Sequence, residues 1–176
     1  MKEQFHPVHS NAECESIIDG TYQGVLSMSA GNEPYALPLN HAFVDGRFYF
    51  HCASDGRKLD VLERNPRATY VISKYYGDSA ELAKALRCHG DWESVVAHGT
   101  ARVVAEDREL IAGMKTYMAY YGHGDYEHGE DLLGRTKMII LEVEGMTARR
   151  EHDDSRTDYW YWEPTTAQPA GDGERP

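Results

Sequence analysis

Cysteine is scarce in this chain. The three present, Cys14, Cys52 and Cys88, are far apart and odd in number, with no Cys-x-x-Cys pair. That argues against a disulfide framework and predicts reduced thiols in a cytoplasmic protein. No run is long and apolar enough to span a bilayer. The first residues, MKEQFHPVHS, lack the apolar stretch of a secretory signal. Positive charge is also in short supply: 18 Lys and Arg stand against 29 Asp and Glu, for a net charge of −11. A general nucleic-acid binder needs a basic face, so that class is disfavoured, although a small basic pocket is not. GxGxxG, Walker, HExxH and GxSxG motifs are all missing, which removes the usual signatures of dinucleotide, P-loop, zinc-peptidase and serine-hydrolase chemistry.

The 176 residues suffice for one domain with a real core. Ser10-Asn11-Ala12-Glu13 matches a capping box and predicts a helix from Asn11 to Ile18. Strands are predicted over 22–29, 35–44, 47–52, 67–75, 92–105 and 137–143. Gly31-Asn32-Glu33-Pro34 reads as a turn, and Asp45-Gly46 is a strong hairpin signal. Pro38 inside the second strand points to a sheet edge or a bulge, and Gly99 to a bend. Helices are predicted over 56–64, ended by Asn65-Pro66, and over 106–120, with a further helical stretch at 79–86. Six strands joined partly by hairpins, with short flanking helices, predict a mainly β protein: a closed or partly closed antiparallel barrel of Greek-key type. Residues 1–152 form the expected domain, and 153–176 a polar C-terminal arm whose end is disordered.

The stretch FYFHCASDGRKLD, residues 48–60, concentrates chemistry at one strand-to-helix junction. A helix N-terminus already carries unpaired N–H groups and the positive end of the dipole. Arg57 and Lys58 oppose that dipole unless an anion joins them. A phosphate would satisfy both cations and the N–H groups, with Ser54 adding a donor. The plainer alternative is a solvated pair that snorkels away from the helix end. His51, just before the turn, is either a hydrogen-bonded structural residue or a group of the same pocket that titrates near neutral pH.

From Tyr35 to Ile72, YALPLNHAFVDGRFYFHCASDGRKLDVLERNPRATYVI resembles the signature region of the flavin-nucleotide-binding split barrels, the pyridoxamine 5'-phosphate oxidase-like superfamily, and within it the nitroimidazole-resistance (Nim-type) branch. The matching features are the Pro-Leu-Asn segment, the hairpin, the aromatic-His-small strand end, Gly-Arg-Lys and the closing Asn-Pro. Trp92-Glu93-Ser94-Val95-Val96, followed by Gly99 and Ala101, is similar to a second strand of that family. The resemblance covers Gly20 to Val143 and implies a six-stranded split barrel working as a homodimer, with FMN between the subunits. It implies Pro38, Leu39 and Asn40 at the flavin ring, His51, Cys52 and Ser54 along the ring or ribityl chain, and Arg57 and Lys58 on the phosphate. Ser94 would come from the neighbouring strand. Deazaflavin and haem are the alternative cofactors. Cys52 stands where the Nim-type branch often has serine. The segment after Met146, TARREHDDSRTDYWYWEP, is not the basic substrate-binding segment of true pyridoxamine phosphate oxidases, which argues against vitamin B6 oxidase activity.

The expected activity is reduction of a small aromatic or nitro compound with electrons from a nicotinamide, with His51 as proton donor. The alternative is a binding or sensing protein without turnover. His123, Asp125, His128 and Glu130 have some metal-ligand character, but in YYGHGDYEHGED a solvated loop is the expected reading, so no metal site is assigned. Tyr159-Trp160-Tyr161-Trp162 is expected to pack an arm on the barrel, with ligand stacking as the alternative. Cys52 is either redox-active beside a flavin or inert filler.

Overall fold

The computed structural model describes residues 7–76, 91–129, 132–151 and 156–165. In chain order the elements are β1 (Val8–His9), α1 (Asn11–Asp19), β2 (Gln23–Ala30), β3 (Glu33–Asn40), β4 (Ala42–Val44), β5 (Arg47–Ala53), α2 (Arg57–Arg64), β6 (Arg67–Tyr75), β7 (Trp92–Val103), α3 (Asp107–Tyr120), α4 (Leu132–Arg135), β8 (Thr136–Glu151) and β9 (Thr157–Trp162). The sheet runs β1-β9-β8-β7-β6-β2-β3, with β5 paired to β8 and β4 to β5. All pairings are antiparallel except β1 with β9, so the sheet is mixed.

β8 is the hinge of this topology. One side pairs with β7 throughout; the other pairs with β5 over Thr136–Glu142 and with β9 over Met146–Glu151. The sheet therefore forks along β8. Its far edge, β3, comes back close to β5 without pairing to it, leaving a split in the barrel wall. Leu26, Phe48, Phe50, Tyr70 and Leu141 fill the interior and are fully buried. α1 and α2 close it with Ile17, Ile18, Val61 and Leu62. A second apolar layer lies outside the barrel, where Leu110, Met114 and Tyr117 of α3 cover Tyr49, Met138 and Ile140. Burial of such side chains is the dominant favourable contribution, about 1.5–3 kcal/mol for each large residue.

The expected mainly β architecture with six long strands and short flanking helices is present, and the local signals account for much of it. The Ser10 side chain accepts from the Glu13 N–H at 3.3 Å and starts α1. Pro38 lies on an edge strand, where its missing N–H costs no ladder bond. Gly99 sits at a register shift against β8, where an added Cβ would lie 1.9 Å from the Glu142 carbonyl oxygen.

Several boundaries differ from expectation. Only Gly31 and Asn32 form the first turn, both with positive φ (59° and 66°), and Glu33 and Pro34 are already paired to β2. The strand expected over 35–44 is interrupted at His41, between β3 and β4. The strand expected over 137–143 runs on to Glu151, because pairing resumes on both sides of β8 beyond the bulge. The aromatic run Tyr159–Trp162 belongs to β9 and is paired to β8. The helical stretch expected at 79–86 lies outside the described residues.

The bulge at Gly99 generates a prediction. Gly99→Ala should destabilise the protein by about 2–4 kcal/mol, because the clash is with backbone and cannot be relieved by a rotamer. A urea midpoint equal to that of the unsubstituted protein would show that the bulge tolerates a side chain.

Candidate functional site

The split between β3 and β5 is where the sequence-predicted residues converge. Along β3, Tyr35, Leu37 and Leu39 turn inward and are half-buried against the core, whereas Pro38 and Asn40 point outward and are exposed. On β5, Cys52 faces inward and His51 outward, as strand alternation requires. The two residues therefore do not share a face. His51 stands edge-on to Tyr117 of α3, with centroids 4.8 Å apart. Partial burial there lowers its pKa from the usual histidine value, so the ring is neutral at pH 7. Burial raises the Cys52 pKa, and Lys58 pulls it only partly back. The thiol is protonated and not an activated nucleophile.

The turn into α2 is built around the ammonium of Lys58. Gly56 adopts φ 115° and ψ 162°, a conformation open only to glycine, and no side chain caps the helix. Lys58 is only 9% exposed and donates to the Asp55 carbonyl at 2.9 Å. It is folded back into the turn rather than snorkelling away. The Arg57 guanidinium lies 5.1 Å from the centroid of the Tyr35 ring, which ties α2 to β3. The Ser54 N–H is taken by the Arg135 carbonyl at 3.1 Å, leaving its hydroxyl as the remaining donor. Two cations and an uncapped helix start thus border the split, an arrangement suited to a phosphate.

Ser94 does not join this group within one chain. It faces outward on β7, in register with Ser73 and Arg149. Three strand spacings, about 14 Å, separate β7 from β3. His123, Asp125 and His128 are exposed, and Glu130 lies outside the described residues.

Sequence reasoning missed a buried relay beside the split. The Tyr70 hydroxyl donates to the Leu39 carbonyl at 2.7 Å and meets His41 Nδ1 at 2.9 Å. Because the hydroxyl proton goes to Leu39, Nδ1 carries the imidazole proton and Nε2 is left as an acceptor. Nε2 is buried without a hydrogen-bond partner. The His41 N–H donates to the Tyr22 carbonyl at 3.1 Å, and the Tyr121 hydroxyl donates to the His41 carbonyl. The first of these bonds continues the β2–β3 register by one residue pair, and the second ties the same residue to α3. Tyr70 reaches β3 only by passing under Gly24 of β2, where an added Cβ would sit 2.7 Å from the Tyr70 ring. A glycine inside a strand is the one sequence signal that a close approach occurs there.

A cavity of about 470 Å³ opens elsewhere, between α1 and the β4–β5 hairpin. Glu15, Asp19, Asp45 and Glu142 line it, with Arg47 paired to Glu142, so it is a poor host for a phosphate.

Residues 10–150 match the family described as pyridoxamine 5'-phosphate oxidase. The chain belongs to this family. No curated protein matches it. Among solved structures, it is similar to one from Bacteroides thetaiotaomicron assigned to 5-nitroimidazole antibiotic resistance, with 19% identity, 80% of this chain and 84% of that chain covered, and a TM-score of 0.67. It is also similar to an FAD- and haem-binding protein from Mycobacterium smegmatis, with 14% identity, coverage of 95% and 92%, and a TM-score of 0.65. A third is an FAD-binding protein from Mesorhizobium loti, with 19% identity, coverage of 80% and 94%, and a TM-score of 0.61. At these identities the likeness shows a shared fold. Family membership covers both β3 and the β5–α2 junction, so the split and its cations lie inside the shared domain. Among the described residues, no helix is long and apolar enough to cross a membrane.

The relay predicts a pH effect. Burial lowers the His41 pKa from 6.5 to about 4, while the nearby Ile18 backbone and Asp19 pull weakly the other way. The folded state thus resists protonation more than the unfolded state does. The stability this contributes is complete above pH 6.5 and falls as the pH drops towards 4, by about 3 kcal/mol over that window. His41→Leu should flatten the plot of urea midpoint against pH there; an unchanged slope would locate the acid sensitivity elsewhere.

Proposed function

We propose that the chain is an FMN-binding oxidoreductase, cytoplasmic and homodimeric, that passes electrons from a nicotinamide to a small aromatic or nitro compound. The observation carrying this reading is the uncapped start of α2, with Gly56, Arg57 and the inward-folded Lys58 beside the open edge of β3. Arg57, Lys58 and the Ser54 hydroxyl hold the phosphate. Pro38 and Asn40, on the outward face of β3, and the Leu39 backbone border the ring. When bound, the flavin supplies the hydride and electron transfer. His51 presents a ring nitrogen to a ligand oxygen, as a neutral hydrogen-bond donor near pH 7 and as a proton donor once protonated.

The outward face of the sheet supports the dimer. Pro38, Val25, Val71 and Val96 stand in register across four strands, and Val25 and Val96 are 40% and 41% exposed. An apolar row of this kind, uncovered among the described residues, fits a second copy of the chain. Ser94, two residues from Val96 on the same face, would then reach the cofactor of the other protomer rather than its own.

A second reading is a protein that binds flavin, deazaflavin or haem without turnover. It is favoured by similar structures described as binding FAD, haem or both.

The visible spectrum of the purified protein, with and without added FMN, separates these readings when the released ligand is identified by mass. A flavin spectrum bleached by NADH or NADPH is the expected result. A flavin that neither nicotinamide reduces favours the binding protein, and a Soret band favours haem. Arg57→Glu should weaken FMN binding by about 10- to 100-fold, the loss of one or two charge-assisted contacts. His51→Ala should lower turnover while FMN stays bound; full activity in that variant would remove His51 from the mechanism.

A further inference from the structure

A second concavity lies at the far end of the His51 face. It is a cleft of about 460 Å³ lined by Asp19, Gly20, Thr21, Tyr22, Tyr120 and Tyr121. Its walls are phenol rings. Tyr22 is 65% exposed and Tyr121 37% exposed. Tyr120 and Tyr121 are held in place. The Tyr120 hydroxyl donates to Asp19 Oδ1 at 2.8 Å, and the Tyr121 hydroxyl donates to the His41 carbonyl. Tyr120 and Tyr121 meet at a centroid distance of 5.2 Å and an angle of 87°. Tyr121 also packs on Tyr117 at 5.2 Å, and Tyr117 on His51 at 4.8 Å. A continuous aromatic path therefore joins the cleft to the candidate proton donor.

Asp19 is the only charged side chain among the lining residues, and it is a carboxylate. A cation stands at the cleft's edge: the Lys74 ammonium donates to the Gly20 carbonyl at 3.1 Å and lies over the Tyr76 ring, so it is already engaged on both sides. Burial raises the pKa of the Tyr120 and Tyr121 phenols, which are neutral at physiological pH. Phenol faces present the negative side of the ring quadrupole.

We infer that this cleft binds a planar aromatic cation, of the pyridinium or imidazolium type, in preference to phosphorylated and carboxylated rings. The inference rests on the oxidoreductase reading for its significance, since it names a class of ring held two aromatic contacts away from His51, but its binding test does not need turnover. Tyr22 and Tyr121 stack on the ring, and Asp19, oriented by Tyr120, offsets its charge.

The test is calorimetric titration of the protein, with and without FMN, using the 1-methylnicotinamide cation, neutral nicotinamide and pyridoxal 5'-phosphate. The cation should bind, and neutral nicotinamide and the phosphorylated ring should each bind at least about fivefold more weakly. Tyr22→Ala changes a largely exposed residue and should weaken cation binding about fivefold or more. Asp19→Asn should bring the cation and the neutral ring to similar affinity. Absence of cation binding, equal binding of the phosphorylated ring, or undiminished binding in folded Tyr22→Ala overturns the assignment. A protein that takes up FMN but not the cation keeps the flavin reading and loses the cleft; one that binds the cation but no flavin keeps the cleft and loses the flavin reading.

Discussion

One buried hydroxyl governs the functional end of this barrel. Tyr70, anchored on β6, passes under Gly24 and donates to the Leu39 carbonyl while its oxygen receives His41 Nδ1. The Leu39 carbonyl lies on the β2 side of β3, opposite Gly24, and receives this hydroxyl from inside the barrel. β3 ends at Asn40, the buried His41 follows, and the chain restarts as β4. β3 then faces β5 across the split without pairing to it, and its outward residues Pro38 and Asn40 remain on an open rim.

The second half of the site obeys a different constraint. The protein carries a net charge of −11, yet the start of α2 combines two cations with the positive end of a helix. Folding Lys58 back onto the Asp55 carbonyl and laying Arg57 on Tyr35 keeps both side chains close to the helix start. Both side chains are therefore ordered before a ligand arrives, which lowers the entropy cost of the anion binding proposed above. The cavity between α1 and the β4–β5 hairpin is lined instead by carboxylates.

β8 explains why the fold can be a barrel on one side and an extended sheet on the other. Its first half carries β5 and closes the interior; its second half carries β9, and through it β1. A one-residue register shift at His98 and Gly99, with Glu144 left over on β8, lets β7 pair on both sides of this change. Among the described residues no helix covers the outward face of β3, β2, β6 and β7, whereas α3 covers the face of β5 and β8.

Local chemistry made much of this legible in advance. Asp45-Gly46 and Gly31-Asn32 set hairpins because few residues accept positive φ, Pro38 marked an edge because it has no N–H, and Gly99 marked the bulge. Arg57 and Lys58 stood out because cations at a helix start are unfavourable without a partner. These are properties of a residue and its immediate neighbours, and sequence carries them directly. His41 finds its side-chain partner in Tyr70, 29 residues away. The length of β8 depends on β9, and the opposed faces of His51 and Cys52 matter only once α3 has covered one of them. The distance between Ser94 and the α2 cations depends on strand order, which no local pattern encodes. The mainly β class, most of the elements and the residues rich in chemistry are properties of local sequence. Which of them share a face emerges on folding, because that is set by long-range pairing and by burial of polar groups that must find partners far along the chain.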